Sequence, residues 1–267
     1  MKMRQRFSSH RGIYLIPNLL TTAGLFAGFY AVVASMQGHF EYAAIAIFIA
    51  MIMDGLDGRI ARITNTQTAF GAEYDSMADM VSFGIAPALV AYNWALSDLG
   101  KFGWLASFVY VVAAALRLAR FNTQVETADK RYFQGLASPS AAAILAGLVW
   151  LGVEYSWEPK PYGIYIGILT IVTGLLMVSN FRYSSFKGAN TKGKVPFMGI
   201  IIMVLLFVLI ASFPPEVLFI GFGIYALSGP ILTLWHLKDI REERIQRKKA
   251  KSNTEDTETD NESESIS

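Results

Sequence analysis

The sequence predicts an all-α integral membrane protein, a polytopic helical bundle with about eight transmembrane helices. Of its 267 residues, 53% are hydrophobic and only 16% are charged. Long apolar runs follow one another with short connections, and each is close to the roughly 20 residues that a helix needs to cross a bilayer. The candidate spans are 13–35, 40–63, 76–97, 103–121, 137–156, 162–181, 195–212 and 215–237.

The basic residues predict the orientation of these spans. With the N-terminus in the cytoplasm, 21 of the 23 Lys and Arg residues fall on the cytoplasmic side, and only Lys101 and Lys160 fall outside. Such a bias sets membrane topology. We therefore expect both termini to be cytoplasmic: a short N-terminal segment over 1–12, and a tail over 238–267 that is first basic and then acidic. The acidic part is rich in Ser and Thr and predicts disorder.

Four aspartates stand at fixed spacing inside this apolar sequence, in the pattern D-x2-D-G-x2-A-R-x8-G-x3-D-x3-D. Ionisable groups at membrane depth are costly and by default indicate a functional site. At 100° per residue, Asp54 and Asp57 share one face of the second helix, and Asp75 and Asp79 share one face of the third. Carboxylates gathered in this way repel one another unless a cation lies among them. The pattern predicts a site for Mg²⁺ or Mn²⁺ on the cytoplasmic side.

Three further residues of the pattern suit a phosphate ligand. Gly58 and Ala61 lie on the aspartate-bearing stripe and would let a flat base or a phosphate approach the helix. Arg62 follows the cluster, and a guanidinium binds phosphate oxygens in a bidentate manner. Gly58 and Ala61 could instead serve helix packing, and Arg62 could be a snorkelling residue that sets topology. Their position among the aspartates favours a functional role.

The whole pattern resembles the signature of the CDP-alcohol phosphotransferase family and matches it without a departure. The resemblance implies transfer of a phosphoalcohol group from a CDP-alcohol to an acceptor hydroxyl, with release of CMP. It further implies a six-helix core, here 13–190, so that 191–237 would add two transmembrane helices. By the same resemblance the four aspartates hold two divalent cations, and Asp79 is also the catalytic base. The implied donor contacts are Asn18, Thr21, Gly58, Ala61, Arg62, Thr68 and Gly71.

A second stretch bears on the acceptor. Residues 82–87, 117–122 and 133–139 resemble the membrane-integrated (type II) phosphatidylserine synthases, which implies CDP-diacylglycerol as donor and L-serine as acceptor. The serine carboxylate calls for a cation beside the site. We therefore expect Arg117, Arg120 and Asn122 to contact serine. The alternative role for the two arginines is that of cytoplasmic membrane anchors.

Other functions remain open at this point. Another acceptor, glycerol 3-phosphate or inositol phosphate, would call for a larger basic pocket, which Lys130, Arg131, Lys187, Lys192 and Lys194 could provide. A cation or proton-coupled transporter is disfavoured because the aspartates cluster towards one membrane face. Nothing in the sequence indicates nucleic-acid binding. The family resemblance also implies a homodimer among membrane lipids, and we expect it in the inner membrane of a bacterium with the active site facing the cytoplasm.

Overall fold

The computed structural model describes residues 15–124, 132–184, 197–233 and 235, and this part of the chain is mostly helical. Each of the eight predicted spans overlaps one helix. The helices are α1 (Leu15–Met36), α2 (Phe40–Ile63), α3 (Ala69–Leu99), α4 (Lys101–Gln124), α5 (Ser138–Glu154), α6 (Gly163–Val178), α7 (Phe197–Ser212) and α8 (Pro214–Thr233).

Five helical segments of the described chain are long and apolar enough to cross a membrane: α1, α3, α4, α8, and α6 together with the helical turn that precedes it, which makes a span of 19 residues over Lys160–Val178. Helix α2 has sufficient length but carries Asp54, Asp57 and two arginines in its second half. Helices α5 and α7 are apolar but shorter, with 17 and 16 residues. These features are those of a membrane helical bundle, whereas the count of eight transmembrane helices stays a prediction. The expected N-terminal segment over 1–12, the tail over 238–267 and the five basic residues of the alternative acceptor pocket lie outside the described residues.

Helix α3 begins earlier than the sequence predicted. The expected span started at residue 76, whereas the helix starts at Ala69, because the Thr68 hydroxyl caps it by accepting a hydrogen bond from the Gly71 N–H at 3.0 Å. Its winding also changes directly after Asp79, where Met80–Ile85 adopt the wider π-helical turn. Such π segments inside α-helices occur frequently at functional sites.

Small residues bring α1, α2 and α3 close together. A Cβ at Gly28 would lie 2.5 Å from the Ser82 Oγ and 2.7 Å from the Ser82 Cα, so only glycine allows α3 to approach α1 here. The Ser82 hydroxyl donates to the Gly24 carbonyl at 3.1 Å, one turn earlier in α1. This close contact holds the start of the π segment against α1, which fixes the position of the preceding turn of α3.

Two short strands depart from the all-α expectation. Strand β1 (Tyr132–Gln134) precedes α5, and strand β2 (Arg182–Ser184) follows α6, and the two pair antiparallel with Gln134 opposite Arg182. Gly135 ends β1 with φ +76, a left-handed conformation that favours glycine. Its N–H donates to the Phe181 carbonyl at 2.9 Å. The pair is too short to show the alternation by which a strand is predicted from sequence.

The last two helices expose most of their apolar side chains. No residue of α7 is buried, and α8 buries few of its own within the described chain. Apolar side chains without protein neighbours are expected where a helix faces lipid tails. The best-packed part of the molecule is therefore α1 to α6, which contains the aspartates.

Candidate active site

The aspartates of α2 and α3 meet as their spacing predicts. One carboxylate oxygen from each of Asp54, Asp57 and Asp75 lies within 4.8 Å of the other two. Asp79 stands one turn further along α3, outside that trio, and lies within electrostatic range of all three. Asp57 is the most enclosed, with 4% of its surface exposed. Two antiparallel helices thus direct four carboxylates towards one small volume.

That volume is a small cavity closed on one side by α1. Its lining combines the four carboxylates with small and apolar residues, so charges from two helices face one pocket with little else that is polar. The cavity is lined by Thr21, Gly24, Leu25, Ala50, Asp54, Asp57, Asp75, Ala78, Asp79, Ser82 and Phe83.

Thr21 is the polar residue that α1 contributes to the cavity. Its buried hydroxyl donates to the Asp57 Oδ2 at 2.7 Å and also lies 3.1 Å from the Pro17 carbonyl of its own helix. The hydrogen bond holds the Oδ2 of the Asp57 carboxylate in place, and because the carboxylate is planar and rigid, it also orients the other oxygen. Hydrogen bonds of this kind orient the ligands of metal sites.

The donor set fits a hard divalent cation. Three carboxylate groups within 4.8 Å supply only oxygen ligands, and oxygen ligands are those that Mg²⁺ and Mn²⁺ prefer. Without positive charge between them, carboxylates at this separation repel one another. The cluster can therefore hold a divalent cation.

Apart from Thr21, which lies in the aspartate cavity, the residues predicted to bind the CDP moiety lie in two groups on either side of the α2–α3 turn. Asn18 of α1 comes close to the capped start of α3. A Cβ added at Gly71 would lie 3.5 Å from the Asn18 Oδ1 and 3.1 Å from the Thr68 Oγ1, which shows how near these side chains are to the helix. The second group is on the last turns of α2. There the Arg62 Nε donates to the Gly58 carbonyl at 2.8 Å, and the space beside the Gly58 Cα is open. Ala61 is half-buried on the same turns.

Arg117 of α4 lies deep in the bundle, on the side of the cluster where Asp79 stands. Its residue surface is 9% exposed, and its guanidinium lies within electrostatic range of Asp79. Its Nη1 donates weakly to the Gln134 and Gly135 carbonyls, at 3.3 and 3.4 Å. A buried cation beside an acidic cavity exceeds what membrane orientation requires, since an anchor residue at an interface extends to the water.

Arg120 donates hydrogen bonds to several backbone carbonyls. Its Nη2 donates to the Gln134 carbonyl at 2.9 Å and to the Met177 carbonyl at 3.2 Å, and its Nη1 donates to the Val178 carbonyl at 3.1 Å. These carbonyls end β1 and α6, so the guanidinium caps the C-terminus of α6 and ties it to β1. The prediction that Arg120 contacts serine stays a prediction.

Asn122 reaches α3 between the two aspartates of that helix. Its side-chain amide forms hydrogen bonds of 3.1 and 3.2 Å with the Ser76 hydroxyl. Sequence reasoning did not single out Ser76, which carries no signal beyond its place next to Asp75. It also gave no role to Gln134, which lies in the stretch that bears on the acceptor. The Gln134 carbonyl accepts hydrogen bonds from both Arg117 and Arg120.

Comparison with known proteins agrees with this site. The family model described as CDP-alcohol phosphatidyltransferase matches residues 14–179. A CDP-diacylglycerol–serine O-phosphatidyltransferase of Helicobacter pylori (strain J99) is 37% identical over 82% of this chain and 91% of its own. The protein of the same name from Methanocaldococcus jannaschii is 34% identical over 67% of this chain and 78% of its own.

Among solved structures, a phosphatidylinositol phosphate synthase of Mycobacterium tuberculosis with CDP-DAG bound aligns with a TM-score of 0.47 and 18% identity. The alignment covers 62% of this chain and 80% of that one. The family match covers more than half of the chain and includes every motif aspartate. This chain is therefore a member of the CDP-alcohol phosphatidyltransferase family.

Proposed function

We propose that this protein is an enzyme that transfers the phosphatidyl group from CDP-diacylglycerol to the hydroxyl of L-serine and releases CMP. The observation that carries the proposal is the identity with relatives of that name across most of this chain and most of theirs. The geometry supports it, because the four motif aspartates line one cavity and the buried cation Arg117 lies within electrostatic range of one of them, Asp79.

We assign the four aspartates Asp54, Asp57, Asp75 and Asp79 as the ligands of two divalent cations, Mg²⁺ or Mn²⁺. Bound cations would neutralise charge on the diphosphate and on the departing CMP. The chain's own contribution is to hold the carboxylates in place: Thr21 orients Asp57 through its hydrogen bond, and the Gly28–Ser82 contact holds α3 against α1.

The donor half of the site combines seven residues around the α2–α3 turn. The small side chains on α2 leave room for the cytosine and its phosphates beside the helix, and Arg62 supplies a charge for a phosphate oxygen. Thr68 and Gly71 bring the start of α3 next to Asn18, which closes this half. The assigned contacts are Asn18, Thr21, Gly58, Ala61, Arg62, Thr68 and Gly71.

Asp79 is the general base in this account. The serine hydroxyl gives its proton to the Asp79 carboxylate as its oxygen forms a bond to the phosphorus that carries the diacylglycerol. The bond between that phosphorus and the bridging oxygen breaks, and its electron pair leaves with CMP. Asp79 suits this role because it stands outside the trio of Asp54, Asp57 and Asp75, on the side of Arg117.

The acceptor half is formed by α4. Arg117 is the cation nearest to Asp79 among our predicted serine contacts, and we assign it to the serine carboxylate. Arg120 and Asn122 complete the predicted set, and both of them anchor the surroundings of Arg117 and Asp75 through their hydrogen bonds. The amino acid would thus enter between α3 and α4 with its hydroxyl towards Asp79.

The chain's setting in the cell follows from the charge bias. We infer eight transmembrane helices, a catalytic core over 13–190 with two further helices over 191–237, and cytoplasmic termini. The active site then faces the cytoplasm of a bacterial inner membrane, where CDP-diacylglycerol enters from the surrounding lipids. A homodimer is part of the same proposal and rests on the family resemblance alone.

The closest alternative is the same reaction with glycerol 3-phosphate or inositol phosphate as acceptor. A phosphorylated acceptor carries more negative charge than serine and calls for more than one available cation. Of the two arginines on α4, Arg120 already donates to three backbone carbonyls in the shortest of its contacts, at 2.9 to 3.2 Å. Serine, with one carboxylate, fits the remaining buried charge better.

An acceptor panel tests the reaction. Purified protein with CDP-diacylglycerol and Mn²⁺ should release CMP with L-serine and form an equal amount of serine-containing phospholipid, because displacement couples the two products. Glycerol 3-phosphate and inositol phosphate should release CMP at no more than the rate without acceptor. Release of CMP that is faster with either phosphorylated alcohol than with L-serine would contradict the assignment.

Replacement of Asp79 by Asn tests the base. Asp79→Asn keeps the size of the side chain but removes the proton acceptor, so kcat should fall by about 10²–10⁴-fold. The KM for CDP-diacylglycerol should change much less, because the other three carboxylates remain. Steady-state CMP release measures both values. A kcat close to that of the unaltered protein would move the base to another residue.

A pair of neighbouring threonines tests how Asp57 is oriented. Thr21→Val removes the hydroxyl that donates to Asp57, so the Mn²⁺ concentration for half-maximal activity should rise by about 10–100-fold. Thr22→Val is the matched control, because the Thr22 hydroxyl donates to the Asn18 carbonyl and pairs with Tyr74 instead of an aspartate. Equal Mn²⁺ requirements in the two variants would show that the Thr21 hydrogen bond does not tune the site.

A further inference from the structure

Helix α8 lies beyond the family match, which ends at residue 179, yet it holds a residue of β2 very tightly. Tyr183 is fully buried and its ring rests on Gly229, where a Cβ would overlap the ring. The Tyr183 hydroxyl donates to the Ala226 carbonyl at 3.0 Å. The ring of Tyr225 packs against it with centroids 5.4 Å apart. Gly229, Ala226 and Tyr225 of α8 thus form a close-fitting contact site, here called the seat, for the Tyr183 side chain of β2.

The β1–β2 pair connects Tyr183 to the arginines of α4. Tyr183 stands next to Arg182, and Arg182 pairs with Gln134 across the two strands. The Gln134 carbonyl accepts hydrogen bonds from the Arg117 Nη1 at 3.3 Å and the Arg120 Nη2 at 2.9 Å. One backbone carbonyl of β1 therefore helps to place both guanidinium groups.

Gly135, the residue after Gln134, is packed closely against its neighbours. Gly135 has φ +76, and a Cβ on it would overlap the Met177 carbonyl and lie 2.8 Å from the Arg120 Nη2. The backbone of β1 is thus packed directly against the Arg120 guanidinium and the end of α6. A shift of the strand pair would be passed on to the arginines, because no loose side chain lies between them to absorb it.

Helix α8 also comes near Arg117 through Tyr225. The side chains of Tyr183 and Tyr225 both lie within electrostatic range of its guanidinium. Arg117 is in turn within that range of Asp79. The seat on α8, the strand pair and the acceptor side of the cavity are therefore neighbouring parts of one packed unit.

We propose that α8 is a positioning element of the acceptor site: Tyr183 seated on Gly229 fixes the β1–β2 pair, and that pair fixes the Arg117 guanidinium beside the cavity. Tyr183, Tyr225 and Gly229 are positioning residues, since they act through Arg117 and touch no reacting atom. The proposal rests on the assignment of Arg117 to the serine carboxylate. It gives the last helix a role in acceptor binding in addition to any role in the membrane.

A glycine pair on α8 provides the test. Gly229→Ala places a methyl group against the Tyr183 ring and should raise the KM for L-serine by about tenfold, since small displacements of a positioning group are costly. The KM for CDP-diacylglycerol should stay within about twofold, because the donor half contains no residue of this unit. Gly221→Ala is the matched control, because no atom lies within 4 Å of the position its Cβ would take. A general loss of stability would change both KM values or the amount of active enzyme instead.

Two further variants separate the positioning role of α8 from the assignment of Arg117 to the serine carboxylate. Tyr183→Phe removes only the hydrogen bond to the Ala226 carbonyl, so it should also raise the KM for L-serine, by a smaller factor than Gly229→Ala. If Gly229→Ala does not fold, the KM values of Tyr183→Phe test the positioning role in its place. Arg117→Lys, measured in parallel, tests the assignment beneath the proposal. A raised serine KM in Arg117→Lys but values like those of Gly221→Ala in the α8 and β2 variants would overturn the positioning role alone. An unchanged serine KM in Arg117→Lys would overturn the acceptor assignment itself.

Discussion

Mutual repulsion between carboxylates is the constraint on which the rest of this structure depends. Asp54, Asp57 and Asp75 bring oxygens within 4.8 Å of one another in a cavity whose other walls are mainly small and apolar. Two like charges 4 Å apart repel by roughly 4 kcal/mol at the effective dielectric constant found near protein surfaces. A bundle that tolerates several such pairs needs a counter-charge at that point. In our proposal a divalent cation supplies it and would also neutralise charge during phosphoryl transfer.

The architecture around the cluster divides the work between helices. Helix α1 closes the cavity and orients one ligand through Thr21, while α2 and α3 supply the carboxylates and the donor-binding turn. Helix α4 contributes the buried cation Arg117, which donates to the Gln134 carbonyl of the strand pair, and we propose that α8 holds this pair in position. Asp79 lies where these two halves meet. In the proposed reaction Asp79 is the proton acceptor, and this position would place it between donor and acceptor, as a direct displacement requires.

Sequence reasoning predicted what depends on local spacing. The helical periodicity placed Asp54 with Asp57 and Asp75 with Asp79, and the three oxygens found together confirm that these helices face each other. The membrane bundle followed from composition. The β1–β2 pair was not predicted, because three residues per strand give too short a pattern. The carbonyl contacts of Arg120 were also not predictable, since they join residues up to 59 positions apart whose backbone oxygens carry no sequence signal.

Direct measurement of Mn²⁺ binding to the purified protein tests the central claim, that the aspartate cluster is a divalent cation site on which transfer depends. We expect two Mn²⁺ to bind per chain, with binding weakened or lost in Asp57→Asn, and no CMP release once a chelator has removed the metal. Binding by the unaltered protein that does not exceed that of Asp57→Asn, together with serine-dependent CMP release that persists in the chelator, would contradict it.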